Sequence, residues 1–462
     1  MLDGALAGAS MAARELALFA AVGFVLFGID DLLVDLIWIG RTLWRRMTVY
    51  TRHRRADAAT LPPPLAPGRF AVFIPAWDES DVIGGMLALT LERWRGGNCD
   101  LFVGCYPNDP STVGVVRAFG RRDARVRPVI APRPGPTTKA DCLNALYQAM
   151  TGVEADTGVP YKGVVLHDAE DVVHPDEIRV FDVMLERAGL VQLPVLPLID
   201  GASRWIAGHY LDEFAESHGK ELVVREAIGA AVPSAGVACA IRRDIVAVLA
   251  GDDGEPFDRT SLTEDYEIGL RLADLGERGM FVRLPAARGR TVVMTREHFP
   301  ATLRTAVRQK SRWMLGIALT GWDRLGWRGG VAERWMRLRD RKSVLAALFV
   351  LAAYAGGLLW TASWVGHLLL GSSIVPPSAT LEALIGVNLL LFAWRLLMRF
   401  SFVTAAYGII EGLSSIPRVF VANLIAVLAA RAALSAYLLS RRTGETKWDK
   451  TRHVFPSAVP AE

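Results

Sequence analysis

The stretch VVLHDAEDVV, residues 164–173, places three carboxylates within four positions at the end of an apolar run: Asp168, Glu170 and Asp171. Carboxylates this close repel one another, and a buried strand tolerates them only with strong compensation. The stretch contains no lysine or arginine, which favours an external cation, and such oxygen ligands suit Mg²⁺ or Mn²⁺. A polar cluster that caps a helix is the alternative. His167 is expected to pack or to hydrogen-bond rather than to bind a metal.

A second acidic motif lies in LTEDYEIGLRLADLG, residues 262–276, which has the apolar spacing of an amphipathic helix with Thr263 as its cap. Glu264 and Asp265 fall in the first turn, where the helix dipole keeps carboxylates ionised. An ionised carboxylate is what a general base requires. Taken alone, plain capping explains this motif better.

The stretch RQKSRWMLG, residues 308–316, combines a basic helix with an aromatic side chain. Gln309 and Arg312 are three residues apart and share one helix face. A planar guanidinium binds phosphate oxygens bidentately, and the neighbouring Trp313 could stack on a sugar ring. In isolation the segment also fits a basic helix at a membrane surface.

Three loops that follow apolar runs contain further residues that could bind a ligand, although each is a weaker indication than the motifs above. In IPAWDES a strand is expected to end at Pro75 and a helix to begin at Ser80, so Asp78 and Glu79 either bind ligand hydroxyls or cap that helix.

In CYPNDPS, Asn108 and Asp109 match the edges of a nucleobase or ribose, but an ordinary Asn-Asp-Pro turn is the better explanation of this stretch alone. In PGPTTKADCLNAL, Lys139 stands at a helix start, a natural phosphate contact. A solvated lysine is equally consistent with that stretch.

The region that must position these residues alternates short apolar runs with helical stretches. This alternation predicts an open α/β layer, mainly parallel, over about residues 69–295. Ligands in such sheets bind beyond the carboxyl ends of the strands, where the HDAED stretch lies. The expected strands lie within 69–77, 100–106, 162–167 and 189–197, and the expected helices within 80–95, 139–150 and 176–188.

The composition limits the class of protein. Of 462 residues, 52% are hydrophobic, and the mean hydropathy of +0.27 is high for a wholly soluble protein. Lys+Arg total 52 and Asp+Glu 48, a net charge of +4 that is too even to suggest nucleic-acid binding. The four cysteines form no CxxC pair and are expected to be reduced and buried.

Apolar segments on both sides of this region predict membrane spans. Residues 16–39 are long enough for a retained anchor, and its three aspartates should lie near an interface or face other helices. An arginine cluster follows and places the next region in the cytosol. After residue 342, three further spans are expected at 343–371, 381–398 and 417–440, with an interfacial or re-entrant piece at 401–415 between the last two.

The basic residues after the last span favour a cytosolic C-terminus. That outcome requires an even number of crossings after the cytosolic region, whereas three are predicted. Either one segment does not cross, or a fourth crossing is hidden.

Taken together, the order and spacing of these motifs resemble the membrane-bound, processive, inverting glycosyltransferases of family 2, which include cellulose and hyaluronan synthases. In that family an acidic pair contacts the nucleoside, a DxD-type motif holds the metal, a TED motif supplies the base and a QxxRW helix closes the site. The matching residues here are Asn108 and Asp109, then Asp168 and Glu170, then Asp265, and finally Gln309, Arg312 and Trp313.

The resemblance also implies roles for neighbouring residues. Pro75, Glu79 and Lys139 join the nucleotide- and substrate-binding set with Asp168, and Glu264 accompanies Asp265 as a catalytic residue. Because Glu170 replaces the second aspartate of DxD, the second metal ligand is either Glu170 or Asp171, and Glu170 is favoured. The implied cofactor is Mg²⁺ or Mn²⁺.

A closer resemblance is to the NfrB-like bacterial inner-membrane glycosyltransferases, through HDAEDVVHP, PSAGVACAIRR, SLTEDYEIGLRL, RQKSRWMLG and WDKTRHVFP. It implies a multi-pass inner-membrane enzyme with a GT-A-type α/β domain in the cytosol. The enzyme would export an exopolysaccharide through its own membrane domain. An outer-membrane export partner and a cyclic-di-GMP-responsive regulator are implied as well. Direct regulation through an attached cyclic-di-GMP-binding domain is not expected, because this chain ends close to the WDKT stretch.

The predicted organisation has five parts. Residues 1–60 form the anchor and a basic stretch, 61–298 the GT-A glycosyltransferase domain, 299–342 the interfacial helices with QxxRW, 343–440 the channel region and 441–462 a cytosolic tail. The predicted reaction is inverting, metal-dependent and processive transfer from a UDP-sugar, favouring a UDP-N-acetylhexosamine, to a growing glycan. The alternatives are transfer of one sugar to a polyprenyl-phosphate lipid, or an inactive membrane receptor or scaffold.

Overall fold

The computed structural model describes residues 2–373, 376–443 and 455–456. Its strands are β1 (Phe70–Pro75), β2 (Cys99–Cys105), β3 (Val126–Ile130), β4 (Gly163–Leu166), β5 (Leu190–Gln192), β6 (Val195–Pro197), β7 (Cys239–Arg242), β8 (Gly279–Phe281) and β9 (Thr295–Glu297).

The helices before the QxxRW segment are α1 (Leu2–Trp44), α2 (Ile83–Arg93), α3 (Pro110–Gly120), α4 (Lys139–Thr157), α5 (Glu177–Met184), α6 (Gly208–Glu216), α7 (Leu222–Ala227), α8 (Arg243–Ala250) and α9 (Glu264–Asp274). Those that follow are α10 (Leu303–Trp313), α11 (Gly321–Leu325), α12 (Val331–Arg341), α13 (Ser343–Leu370), α14 (Ala379–Tyr407) and α15 (Ile409–Thr443). A π-helical segment, Met314–Thr320, joins α10 to α11.

Seven strands form one sheet in the order β3-β2-β1-β4-β7-β5-β8. All neighbouring pairs are parallel except those of β7, which runs antiparallel to both β4 and β5. The strands β1, β2 and β4 are buried along almost their whole length, as expected for parallel strands that helices cover on both faces. The predicted α/β sheet with mainly parallel strands is therefore present, with one reversed strand in its middle.

Parallel strands place the loops of the acidic motifs at one edge of this sheet. The loops after β1, β2 and β4 all follow the carboxyl ends of neighbouring strands. A short parallel pair, β6 with β9, adds the segment just before α10 to the same region. Residues that are distant in the chain therefore converge on one edge.

Among the described residues, four helices are long and apolar enough to cross a membrane: Leu6–Val49, Ser343–Leu370, Ala379–Tyr407 and Ile409–Arg442. They extend well beyond the spans expected from the sequence, and residues 401–415 are helical except at Gly408, not an irregular re-entrant piece. Most of the basic tail, including Lys447, Lys450 and Arg452, lies outside the described residues.

The acidic residues of α1 face other helices, as predicted. Asp35 forms an ion pair with Lys220, 2.6 Å from its Nζ, and accepts a hydrogen bond from Trp394 Nε1 (2.8 Å). Asp30 and Asp31 pair with cations of α12, its C-terminal neighbour Lys342 and α14. Ion pairing in the interior of the helix assembly offsets the cost of carboxylates in an apolar anchor.

Two local expectations were wrong. Helix α2 begins at Ile83 rather than Ser80, and its N-cap residue Val82 supplies no side-chain bond. Thr263 occupies the N-cap position of α9, but its hydroxyl makes no capping bond there. By contrast, all four cysteines are free and buried, as expected.

Candidate active site

A cavity of about 160 Å³ opens at the carboxyl edge of the sheet. Segments that are far apart in the sequence line it together, so only the fold can assemble it. Most of the predicted site residues contribute to its wall: Pro75, Glu79, Lys139, Asp168, Glu170, Glu264, Asp265, Gln309, Arg312 and Trp313.

Lys139, the first residue of α4, forms an ion pair with Asp168, with 2.5 Å between Nζ and Oδ1. Thr138 caps the helix and exchanges hydrogen bonds with Asp141, which fixes the start of α4 at the cavity. Burial opposes the charged form of Lys139, but Asp168, Glu264 and Asp265 outweigh burial and raise its pKa. The cavity therefore holds a permanent cation beside its acidic wall.

Asp171 turns away from the cavity into the protein interior. Its Oδ2 lies 2.7 Å from Nδ1 of His167 and accepts the backbone N–H of Asp168 at 3.1 Å. The other ring nitrogen of His167 lies 3.1 Å from Oε2 of Glu177, and all three side chains are fully buried. Because its carboxylate is engaged in this way, Asp171 does not fit the role of second metal ligand, whereas Glu170 faces the cavity.

The bonds of His167 keep it protonated. Burial alone would lower its pKa, but the hydrogen bonds and charges of Asp171 and Glu177 raise it to about 10. Glu177 is held in turn by the N–H of His174 (2.6 Å) and by Thr295 Oγ1 (2.8 Å). The buried carboxylate–imidazolium–carboxylate chain thus fixes the backbone that presents Asp168 and Glu170.

A further carboxylate, Glu297 at the end of β9, joins this wall. Burial and the charges of Asp171, Glu170 and Asp168 raise the pKa of Glu297 well above its ordinary value. In the described part of the chain, no three Asp, Glu, His or Cys side chains lie close enough to enclose a metal ion. Asp168 and Glu170 could hold a divalent cation only with ligands from a bound substrate, such as phosphate oxygens.

Glu264 and Asp265 begin α9 at the opposite wall of the cavity. Burial and the charge of Asp265 raise the pKa of Glu264 to about 7. Burial also raises the pKa of Asp265, although Lys139 and Arg312 act against that shift. A carboxylate with a raised pKa is a stronger proton acceptor than an exposed one, which suits a general base.

Asp265 is positioned by a close backbone approach. Gly236, in the PSAG stretch, has a φ of +82°, and a Cβ built on it would lie 2.3 Å from Oδ2 of Asp265. Only glycine satisfies both the dihedral angle and the contact. Gln192 supports this loop, because its amide accepts the N–H of Ala235 at 2.8 Å and donates to the carbonyl of Val237 at 2.9 Å.

The QxxRW helix α10 packs onto the TED motif at a second glycine. A Cβ on Gly316, in the π-helical segment, would lie 2.5 Å from the methyl carbon of Thr263. This close packing brings Gln309 and Arg312 over the cavity. The buried amide oxygen of Gln309 has no hydrogen-bond partner in the described part of the chain, as expected for a group that binds a ligand.

Trp313 is held by an aromatic cluster. The centroid of its nearer ring lies 6.0 Å from Tyr210, 6.3 Å from Phe214 and 6.4 Å from Phe299. Lys310 Nζ lies 5.0 Å from the centroids of Trp313 and Tyr210. The indole is therefore rigidly oriented at the cavity wall.

Asn108 and Asp109 do not lie in the cavity wall. Asn108 pairs its amide with the N–H and carbonyl of Gly135, at 2.8 and 2.7 Å. Asp109 caps α3 through Thr112 N–H (3.2 Å) and accepts Asp78 N–H (2.7 Å). Both residues organise loops beside the cavity, and their direct contact with a nucleoside stays a prediction.

A second, larger cavity of about 1240 Å³ lies between the long apolar helices and the first cavity. Five residues line both cavities: Phe214, Ala235, Thr263, Asp265 and Trp313. The carboxylate of Asp265 thus stands where the two spaces meet.

Comparison with known proteins identifies the class. Residues 67–316 match the family described as "Glycosyltransferase like family 2", which is more than half of the chain. The chain belongs to this family. The match begins just before β1 and ends within the π-helical segment, so it contains the whole of the smaller cavity.

Among curated proteins, this glycosyltransferase is 39% identical to bacteriophage adsorption protein B of Escherichia coli K12. It is equally identical to bacteriophage N4 adsorption protein B of E. coli O157:H7. Each alignment covers 96% of this chain and 63% of the relative, so the chain spans somewhat less than two thirds of the length of these relatives.

Among solved structures, the mannosyltransferase PcManGT from Pyrobaculum calidifontis, in complex with GDP-Man and Mn²⁺, has the same fold. The TM-score is 0.51 at 15% identity, with 86% of this chain and 99% of that chain covered. The predicted GT-A-type fold is thereby confirmed, and family membership supports an enzyme rather than an inactive receptor or scaffold.

Three residues of this glycosyltransferase site were missed from the sequence. Glu297 lies in a three-residue strand without a recognisable motif, and its only signal is a carboxylate shortly before the QxxRW helix. Phe214, in the cavity wall, lies in the stretch HYLDEFAES, which carries no motif. Gln192, which supports the PSAG loop beside the cavity, lies in the apolar stretch GLVQLPVLP, which indicated only a strand.

Proposed function

We propose that this glycosyltransferase transfers a sugar from a nucleoside diphosphate donor, with inversion, to an acceptor that approaches from the larger cavity. The observation that carries the proposal is the position of Asp265 at the junction of the two cavities. The donor would occupy the smaller cavity beside the sheet edge. The acceptor hydroxyl would then meet the anomeric carbon next to Asp265.

Lys139 and Arg312 supply fixed positive charge on the donor side of the cavity. Both contribute to its wall, and both lower the pKa of Asp265, which shows that they act on the same space. Their cationic groups would bind the diphosphate oxygens and stabilise the charge of the departing nucleotide. The ion pair between Lys139 and Asp168 would rearrange when phosphate binds.

Asp168 and Glu170 would hold Mg²⁺ or Mn²⁺ together with the diphosphate. Such a cation supplies Lewis-acid stabilisation of the leaving group. The fit rests on the acidic wall itself, in which Glu170 and Asp168 both contribute to the raised pKa of Glu297. Asp171 would act indirectly, by holding the Asp168 backbone through its bond to that N–H.

The chemical step is a single displacement. The acceptor oxygen bonds to the anomeric carbon as the bond from that carbon to the diphosphate breaks, and the electron pair leaves with the nucleotide. Asp265 takes the proton of the acceptor hydroxyl, and burial, which raises the pKa of that carboxyl group, keeps it basic. Trp313 would stack on the acceptor sugar at the entrance of the larger cavity.

For the finer assignment we propose a UDP-sugar donor, favouring a UDP-N-acetylhexosamine, and processive synthesis of an exopolysaccharide across a bacterial inner membrane. The catalytic domain would face the cytosol, with an outer-membrane export partner and a cyclic-di-GMP-responsive regulator. The adjacency of the two cavities, which share five lining residues, supports a polymer that moves on from the site as it grows.

The membrane part of the larger cavity supports a second candidate, transfer of one sugar to a polyprenyl-phosphate lipid. Its wall includes Phe24, Phe27, Val350 and Phe392, which suit an isoprenoid chain as well as a glycan.

The deciding experiment incubates the purified full chain with radiolabelled UDP-glucose, UDP-GlcNAc, UDP-ManNAc or UDP-galactose, each with Mg²⁺ or Mn²⁺. We expect one donor to give a long, lipid-free product with the native chain and none with Asp265→Asn. A single-sugar lipid product would establish the second candidate instead. Unchanged UDP release and product formation in Asp265→Asn would disprove the enzymatic proposal.

A further inference from the structure

The last long helix, α15, is anchored to the catalytic side of the molecule near its beginning. Glu411 pairs with Arg204, with 2.9 Å between the charged atoms. Arg418 is fully buried and lies 2.8 Å from Asp212 of α6. Residues 200–212 precede and form α6 in the glycosyltransferase domain, so α15 starts at the surface of that domain.

The other end of α15 returns to the same side. Tyr437 donates its hydroxyl to Asp323 of α11 at 2.7 Å, and Arg441 lies 3.6 Å from the same carboxylate. The next residue of α11, Arg324, pairs at 3.0 Å with Glu267 of α9, the helix of the TED motif. Both ends of α15 are therefore fixed to the glycosyltransferase domain and the helices attached to it.

A membrane-crossing helix cannot satisfy both anchors. At 1.5 Å per residue, Tyr437 lies roughly 39 Å along the helix from Glu411, more than the ~30 Å of a hydrocarbon core. A crossing would carry Tyr437 to the far side, away from Asp323. Midway along the helix, Ile425 packs with Tyr210, Phe299 and Ala306, so the same side is contacted there as well.

The exposed face of α15 is apolar, as expected for a helix in contact with lipid. One face is buried along the helix, through Ser415, Arg418, Ile425, Ala429 and Ala433. The opposite face exposes apolar side chains at helical spacing: Leu413, Phe420, Leu424, Leu434 and Leu438.

Arg431 is exposed on that same apolar stripe. An arginine facing lipid is costly in the middle of a hydrocarbon core, but it can reach water when its helix lies at the interface. The position of Arg431 therefore favours a helix in the plane of the bilayer surface.

The final described residues give an independent indication. Phe455 packs against the core of the glycosyltransferase domain, and its ring lies against Gly85 of α2. Phe455, which follows α15 in the chain, is thus on the same side as the nucleotide cavity.

We infer that α15 lies in the plane of the membrane, docked on the lipid headgroup region of the leaflet that faces the glycosyltransferase domain. The chain then crosses the bilayer three times, with α1, α13 and α14, and only two of these crossings follow the catalytic domain. This even number returns the chain to the catalytic side, which resolves the parity conflict of the predicted spans. It also places α15 directly against α10, so that a surface helix supports the helix of Trp313.

The test measures membrane depth in the reconstituted full chain. Single cysteines replace Leu413, Leu424 and Leu438 in α15 or, as the control helix, Ile385, Leu390 and Leu397 in α14. Each is labelled with a fluorophore, and quenching by lipids that carry nitroxides at different depths is compared. We expect a uniformly shallow depth along α15 and a maximum at Leu390 in α14. A maximum at Leu424 as deep as that at Leu390 would overturn the inference.

A sidedness measurement keeps the test decisive if one labelled variant does not fold. A membrane-impermeant maleimide is added to sealed vesicles carrying Arg442→Cys, with Arg122→Cys marking the catalytic side and Ser373→Cys the opposite side. We expect Arg442→Cys to react together with Arg122→Cys in vesicles of either orientation. Reaction together with Ser373→Cys would show that α15 crosses.

Discussion

The two acidic clusters of this glycosyltransferase have similar compositions but different environments. In HDAED, one carboxylate pairs with Lys139 and another is bound to the protonated His167 in the interior. In TED, burial raises the pKa of both Glu264 and Asp265. The two carboxylates of the first cluster are thus held by cationic partners, although burial raises the pKa of Asp171 as well, whereas the raised pKa values of the second cluster suit proton acceptance. Carboxylate chemistry here is decided by partners, not by residue type.

The strongest way to separate the two clusters is to neutralise one carboxylate in each. Asp265→Asn should lower kcat by about 10²- to 10⁴-fold, the usual contribution of a general base, while Mn²⁺-dependent nucleotide binding stays intact. Asp168→Asn should instead weaken that binding. Calorimetry with UDP and Mn²⁺, beside turnover assays, measures both effects.

The exposed carboxylate of Asp252 provides the matched control, because Asp252→Asn should change neither quantity. Equal loss of nucleotide binding in Asp265→Asn and Asp168→Asn would contradict the proposed division of roles.

The position of Asp265 can be disturbed without changing its charge. Gly236→Ala places a methyl group against Oδ2 and should lower kcat by about 10²-fold, because a displacement near 1 Å has that effect in active sites. Gly229→Ala is the matched control, since Gly229 has a similar φ of +76° with open space around it. It should lower the melting temperature but leave kcat near that of the native chain. Equal kcat losses in both variants would show that backbone strain, not the contact with Asp265, is responsible.

A substitution at His167, in the interior of the HDAED cluster, should have a smaller effect that is selective for metal binding. His167→Asn removes the imidazolium that holds Asp171 and should weaken Mn²⁺ binding by about 10- to 100-fold, as for other groups that orient metal ligands. Excess Mn²⁺ should restore much of the activity. Electron paramagnetic resonance titration of Mn²⁺ with UDP measures the affinity.

A matched buried histidine is His218, which accepts Val195 N–H at 3.0 Å and whose pKa burial lowers to about 3. His218→Asn should reduce stability without changing Mn²⁺ affinity. An unchanged Mn²⁺ affinity in His167→Asn would contradict the proposal that His167 positions the metal ligands.

The smallest expected effect is a displacement of the pH profile. Since burial raises the pKa of Asp265, the base is lost as the pH falls through that raised value, and activity should decline at a higher pH than for an exposed aspartate. Arg312→Gln removes a positive charge that lowers the pKa of Asp265, so the acid limb of kcat/KM should move to higher pH. A limb that stays in place, or moves downward, would show that another group controls it.

Much of the site was predictable because its signals are local. Apolar runs ending in polar loops predicted β1, β2 and β4, and Lys139 was expected at a helix start. The motifs HDAED, TED and QxxRW, through their joint resemblance to family 2 glycosyltransferases, indicated residues of the cavity wall. These signals depend on neighbours within a few residues, as helix and strand patterns do.

Other expectations depended on bonds that only the fold reveals. Asn108 and Asp109 were predicted to contact a nucleoside, and in the fold their side chains bind backbone groups of nearby loops. Thr263 resembled a helix cap, yet its side chain packs against Gly316. A polar residue in a loop can be used in several ways, and sequence spacing does not choose among them.

The sequence by itself determined the class of chemistry, an α/β nucleotide-binding domain with ordered acidic, basic and aromatic motifs between apolar segments. The tertiary structure decided which carboxylate of HDAED faces inward, brought Glu297 to the acidic wall and returned both ends of α15 to the catalytic side. The physical reason is the range of the interactions. Periodicity and capping act between near neighbours, whereas burial, charge pairing and helix docking depend on residues that only the folded chain brings together.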